Sequence, residues 1–103
     1  MFNTSCQNAI ASQTLLVEGA VKILADFGFT AAQIALATSA VITARTAGVM
    51  ILWTGETPTA TYGHYCGPNG TSEVHGAANV AAIQMIREAA ISSNVTITLG
   101  RLL

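Results

Sequence analysis

Val95, Ile97 and Leu99 alternate with Thr96 and Thr98 along the run Asn94-Val95-Thr96-Ile97-Thr98-Leu99-Gly100. A period of two in β-branched residues puts apolar groups on one face and hydroxyls on the other, which only a strand does. The chain must therefore contain a sheet that buries one face. Ala40 to Arg45 (AVITAR) and Val49 to Thr54 (VMILWT) are β-rich as well, separated by Thr46-Ala47-Gly48. That spacing predicts a hairpin with a short glycine-containing loop. The VMILW run is apolar on both faces, so its strand is covered from two sides, by the core and by another surface. Leu15 to Ala25 also reads as a strand, interrupted at Gly19, where a bulge is expected.

Between these runs the signals change. Pro58 forces Thr57 into an extended conformation and removes a donor, so Gly55-Glu56-Thr57-Pro58-Thr59 is a turn. Asn69-Gly70 supplies left-handed dihedrals cheaply, which makes CGPNGTSEV a second hairpin tip. Thr30-Ala31-Ala32-Gln33 matches a capping box followed by good helix formers. Asn79 to Ala90 fits two patterns: Val80, Ile83, Arg87 and Ala90 lie at helical spacing, whereas Ile83 and Met85 share one face of a strand. Periodicity does not choose between them. Residues 1–13 (MFNTSCQNAIASQ) are small and polar without alternation and read as an N-terminal arm, ordered on a neighbour or frayed. A single β domain over 14–103 follows.

Composition narrows the function. With 103 residues there is room for one domain. Charged residues make up 9% of the chain and the net charge is −1, far below the roughly 25% charged of an average soluble protein. Neutralising several phosphates needs clustered Lys and Arg, so no nucleic-acid partner is expected. A polybasic membrane-surface helix is excluded on the same ground. Phe27 to Ala44 is an uncharged run of 18 residues, close to the roughly 20 that span a bilayer core. It is nonetheless rich in Ala and Thr, and no Lys/Arg cluster marks a cytoplasmic side. A small membrane-active, holin-like protein with a span in 27–53 is therefore a minor alternative, and no membrane partner is expected. Met1 to Ile10 lacks a basic segment and an apolar run, so no signal peptide is read there. Cys6 and Cys66 are too few for a disulfide framework and are expected as reduced thiols.

The residues that could carry chemistry do not assemble into a pattern. His64 and Cys66 are close, with His75 and Cys6 elsewhere, but a zinc site needs about four converging ligands, commonly in two paired motifs. The carboxylates are scattered singly, without a pair spaced for acid–base work. Gly67-Pro68-Asn69-Gly70 lacks the Lys-Ser/Thr ending of a phosphate loop and reads as a turn. No enzyme activity, cofactor or metal is expected. Trp53 is either an exposed anchor or a core residue, and its apolar neighbours favour the core. If both faces of VMILW and the uncharged 27–44 run are covered, one small core does not bury them all. Met50, Leu52 and Trp53 are then candidates for an interface with a second copy or a partner.

The stretch from Val41 to Gly100 resembles a class of small all-β proteins encoded in the structural gene clusters of tailed phages and prophages. The resemblance rests on an ordered series: Ala40-Val41-Ile42-Thr43-Ala44, Ile51-Leu52-Trp53, and Thr54-Gly55-Glu56-Thr57-Pro58-Thr59-Ala60-Thr61-Tyr62-Gly63-His64. Gly70 to His75, Gly76-Ala77-Ala78-Asn79, Ile83 to Arg87 and Val95 to Thr98 complete it. Its most specific motif is P-T-A-T-x-G, Pro58 to Gly63, with Gly55, Pro58, Thr59 and Gly63 as turn-forming positions. Thr54 stands where the class has Asp, and Glu56 where it has Thr. The resemblance implies a turn plus strand at 79–90 and a turn or short helical element at 30–38. It also implies a small β-sandwich or barrel of about seven or eight mostly antiparallel strands, to which the composition of 1–13 adds a flexible N-terminal arm. The implied role is a virion structural protein: a capsid decoration or cement protein that stabilises the head lattice, located in the virion after assembly in the host cytoplasm. Its partners would be the major capsid protein and copies of itself, as a homo-oligomer such as a trimer. A head–tail, collar or tail-fibre component is the alternative.

Overall fold

A computed structural model describes residues 7–102. Eight strands follow one another: β1 (Gln7–Val17), β2 (Lys22–Ile23), β3 (Ser39–Ala44), β4 (Val49–Leu52), β5 (His64–Cys66), β6 (Thr71–His75), β7 (Gln84–Arg87) and β8 (Ser93–Leu102). A 3-10 turn at Leu24–Phe27 and two short helices, α1 (Ala31–Leu36) and α2 (Ala77–Ala81), lie between them. The strands form two four-stranded sheets, ordered β1-β8-β3-β6 and β2-β7-β4-β5. All paired neighbours are antiparallel. The fold is an all-β sandwich.

Successive strands repeatedly change sheet, and this reveals how the chain is wound. β1 pairs with β8 up to Val17 opposite Ser93, Arg87 N donates to Glu18 O at 3.3 Å, and β2 then pairs with β7. Thus β1–β2 and β7–β8 form one bent antiparallel ribbon. A second ribbon joins β3–β4 to β5–β6. Thr43 lies opposite Thr71, Ala44 N donates to Gly70 O at 3.1 Å, and Val49 lies opposite Cys66. The ribbons lie side by side through β3·β8 and β4·β7. Two adjacent ribbons folded across both sheets are the winding of an eight-stranded jelly roll.

The core fills the space between the sheets. The alternation of Val95, Ile97 and Leu99 is realised: all three are fully buried, as are Ile42, Val49, Ile51 and Met85 from the facing and neighbouring strands. Phe27 and Phe29, on either side of Gly28, are buried in the same cluster. Thr30 and Gln33 form the capping box. Gln33 N donates to the Thr30 hydroxyl at 3.1 Å and Thr30 N to Gln33 Oε1 at 3.0 Å. The helix stops at Leu36 because the chain turns extended at Ala37 and enters β3. Residues 27–44 are therefore divided among a 3-10 turn, a six-residue helix and a strand. Among the described residues, no helix is long and apolar enough to cross a membrane.

Several local readings change. AVITAR and VMILWT are not partners in a hairpin, because β3 and β4 belong to different sheets. The loop between them is an arch whose polar groups are met from elsewhere. The buried Ser93 hydroxyl donates to Ala47 O at 2.6 Å, Arg45 N donates to Asn94 O at 3.0 Å, and Glu88 N donates to Gly48 O at 3.1 Å. Asn69-Gly70 does turn the chain, with Asn69 at φ 60°, but it too links strands of different sheets. Gly19 lies at the crossing from β1 to β2 rather than in a bulge, and the irregular register falls between Ala9 and Ala11. Asn79 to Ala90 contains the end of α2 and then β7, a helical turn followed by a strand. β1 begins at Gln7, inside the stretch read as an arm, while residues 1–6, Cys6 among them, lie outside the described residues.

Candidate interaction surfaces

The outer face of the second sheet is built around the loop that joins β4 to β5. In a strand, alternate residues face opposite ways, so Val49 and Ile51 enter the core while Met50 and Leu52 face outward. Yet Met50 and Leu52 are only 8% and 6% exposed. The P-T-A-T-x-G segment supplies a cover. Pro58 is buried, Ala60 borders the same depression as Met50, and Gly63 lies against β4. A Cβ at Gly63 would meet Ile51 N and O and Met50 Cβ at 3.3 Å, and its φ of 144° disfavours any other residue. The second cover expected over VMILW is thus provided within the single chain. Just past β4, Trp53 is partly buried against the core edge and stacks on His64 with ring centroids 4.6 Å apart and planes 15° apart.

Hydrogen bonds shape this loop. Thr59 and Tyr62 exchange backbone bonds of 3.0 and 3.2 Å, and Gly55 adopts φ 89°. The Thr54 hydroxyl donates to Glu56 Oε1 at 3.1 Å, and the Tyr62 hydroxyl donates to the same carboxylate at 3.1 and 3.2 Å. Thr54 and Glu56 therefore meet each other across Gly55, hydroxyl to carboxylate. The hydrogen bond to Glu56, with its negative charge, raises the Tyr62 pKa above the usual phenol value.

The outer face of the first sheet has a different character. Its cross-strand rows place Ser12, Thr98, Val41 and Glu73 side by side, and next to them Thr14, Thr96, Thr43 and Thr71. Hydroxyls bond across the strands, Ser12 to Thr98 at 2.7 Å, Thr14 to Thr96 at 2.9 Å and Thr43 to Thr71 at 3.3 Å. Such cross-strand pairs stabilise the sheet. Charge enters these rows only at the β6 edge, where Glu73 pairs with His75 at 3.1 Å.

The remaining chemical candidates are dispersed. The Cys66 thiol is buried in the core, His64 stacks on Trp53, and His75 sits in the other sheet beside Glu73. Among the described residues, no group of three or more His, Cys, Asp or Glu could hold a metal ion. Sequence reasoning did not single out Tyr65 and Glu88, which border a depression with Met50 and Ala60. They come from β5 and from the residue after β7, and no local pattern connects such distant positions. The chain matches no family model, no curated protein and no solved structure.

Proposed function

We propose that the chain is a non-enzymatic structural protein of a tailed-phage virion, a capsid decoration or cement protein that binds the assembled head and stabilises it. The observation that carries the reading is the position of the P-T-A-T-x-G turn, at the tip of the inner ribbon of an eight-stranded jelly roll. Jelly rolls recur in viral capsid domains, although lectins and cupins use them too, so the winding alone does not decide function. Support comes from the surfaces as well. A cupin-like metal site would need imidazoles and carboxylates inside the roll, where this chain places Ile42, Ile51, Met85, Ile97 and Leu99. The hydroxyl face of the first sheet is paired across its strands and nearly free of charge. It suits permanent contact with a major capsid protein or with copies of this chain, since the centres of such interfaces are depleted of charge.

Stabilisation would be mechanical. A protein that binds the closed shell but not free subunits favours the shell by mass action, by about 2.7 kcal/mol per site at a concentration one hundred times Kd. The test is add-back to heads made without the protein. Saturable binding to heads, with a higher temperature of head disruption, is the expected result. Binding confined to tails or connectors would replace the reading with a head–tail, collar or fibre component, and no binding to any particle would overturn it.

A further inference from the structure

The depression on the outer face of the second sheet has a volume of about 330 Å³ and is bordered by Met50, Ala60, Tyr65 and Glu88. Met50 and Tyr65 lie directly opposite each other in the β4·β5 ladder, so both project to this side. Gly48 organises the rest. Its carbonyl accepts the Glu88 N–H at 3.1 Å, and the Tyr65 ring lies over its Cα, where an added Cβ would be 2.9 Å from Cζ. Gly67 supports the same ring, since a Cβ there would be 3.2 Å from Cε2. The ring is thus seated on two glycines yet remains 57% exposed. Glu88 borders the same depression, and its carboxylate makes no hydrogen bond or ion pair with any described residue. Neighbouring Arg87 is engaged elsewhere, donating to the Ser92 hydroxyl at 3.3 Å and lying against Gly19.

We propose that this depression receives an arginine side chain from a partner protein, with the guanidinium lying on the Tyr65 ring and donating to the Glu88 carboxylate. The site offers an aromatic face, two apolar walls and one unpaired acceptor group. A guanidinium matches this set: it is planar, carries only donors, stacks on aromatic rings and engages a carboxylate through two parallel bonds. The methylene stem lies along Met50 and Ala60. A lysine ammonium shares the charge but neither stacks nor forms the paired bonds. A sugar presents donors and acceptors together, and the depression has little to donate beyond the Tyr65 hydroxyl. The chemistry is independent of which assembly the protein joins.

The test is a titration of the intact protein with the capped tripeptide acetyl-Gly-Arg-Gly-amide, followed by NMR at the Met50 methyl, the Tyr65 ring and the Glu88 amide. Equivalent peptides with Lys or Gln in place of Arg, and a methyl glucoside, are the comparisons. Saturable shifts at these three groups, weaker with the Lys peptide and absent with the Gln peptide, are expected. Losing a charge-assisted hydrogen bond should make Glu88→Gln bind the Arg peptide about tenfold more weakly. Tyr65→Leu, which keeps an apolar side chain and removes the ring, should weaken it too, and unchanged shifts elsewhere in either spectrum establish that the variant is folded. No shift, equal binding of the Gln peptide, an unaffected Glu88→Gln variant or preference for the glucoside would each overturn the proposal.

Discussion

Ser93 is fully buried, and its hydroxyl donates to Ala47 O while accepting from Ala47 N at 3.4 Å. Removing it deprives the part-buried Ala47 carbonyl of this donor, so Ser93→Ala should cost about 0.5–1.5 kcal/mol in urea unfolding, with an unchanged slope. Gly63 has the opposite problem, where an added atom is the fault. Gly63→Ala combines a left-handed φ with a Cβ pressed on the β4 backbone, and a loss of about 1–3 kcal/mol is expected from the same measurement. Glu56 can be read through Tyr62. The carboxylate holds the phenol protonated, so in the folded protein the Tyr62 pKa lies above its unfolded value. The stabilisation is present below the unfolded phenol pKa and is lost as pH rises through the folded one. Replacing the carboxylate by an amide in Glu56→Gln should therefore move the phenolate transition of Tyr62, followed by the NMR signals of its ring, to lower pH. A titration superimposable on that of the parent protein would contradict the geometry of the turn.

At the scale of elements, what could be read in the sequence is what depends on near neighbours. The alternation of Val95 to Leu99 specified β8 and its buried face, Thr30 and Gln33 specified the start of α1, and Gly55 with Pro58 specified a turn. Partner choice was not legible. Thr46-Ala47-Gly48 satisfies a hairpin loop and an arch equally well. The arch wins because β3 pairs with β6 and β8, β4 pairs with β5 and β7, and Ser93, far along the chain, binds the loop between them. The depression beside Tyr65 was hidden for the same reason, being assembled from the four separate positions Met50, Ala60, Tyr65 and Glu88. Ile42 and Ile97 test the central pairing, since they lie opposite each other in the β3·β8 ladder and both are fully buried. Ile97→Ala should cost about 2–5 kcal/mol. The hydroxyls on the other face should cost far less, about 0.2–1 kcal/mol for Thr96→Ala.

For the whole molecule, the winding brings the N-terminal strand β1 against the C-terminal strand β8, and β8 also pairs with β3. The first sheet is not complete before the last strand is made, because β8 lies between β1 and β3. Low charge, a face of hydroxyls paired across strands and a loop laid over β4 suit a protein held permanently on a larger surface. The measurement that addresses this most directly is the number of copies per purified virion, by quantitative mass spectrometry against the major capsid protein. The account predicts a ratio near one, or a simple fraction of it, as occupancy of every equivalent lattice position requires. A ratio of a few per cent, or absence from the particle, would contradict it.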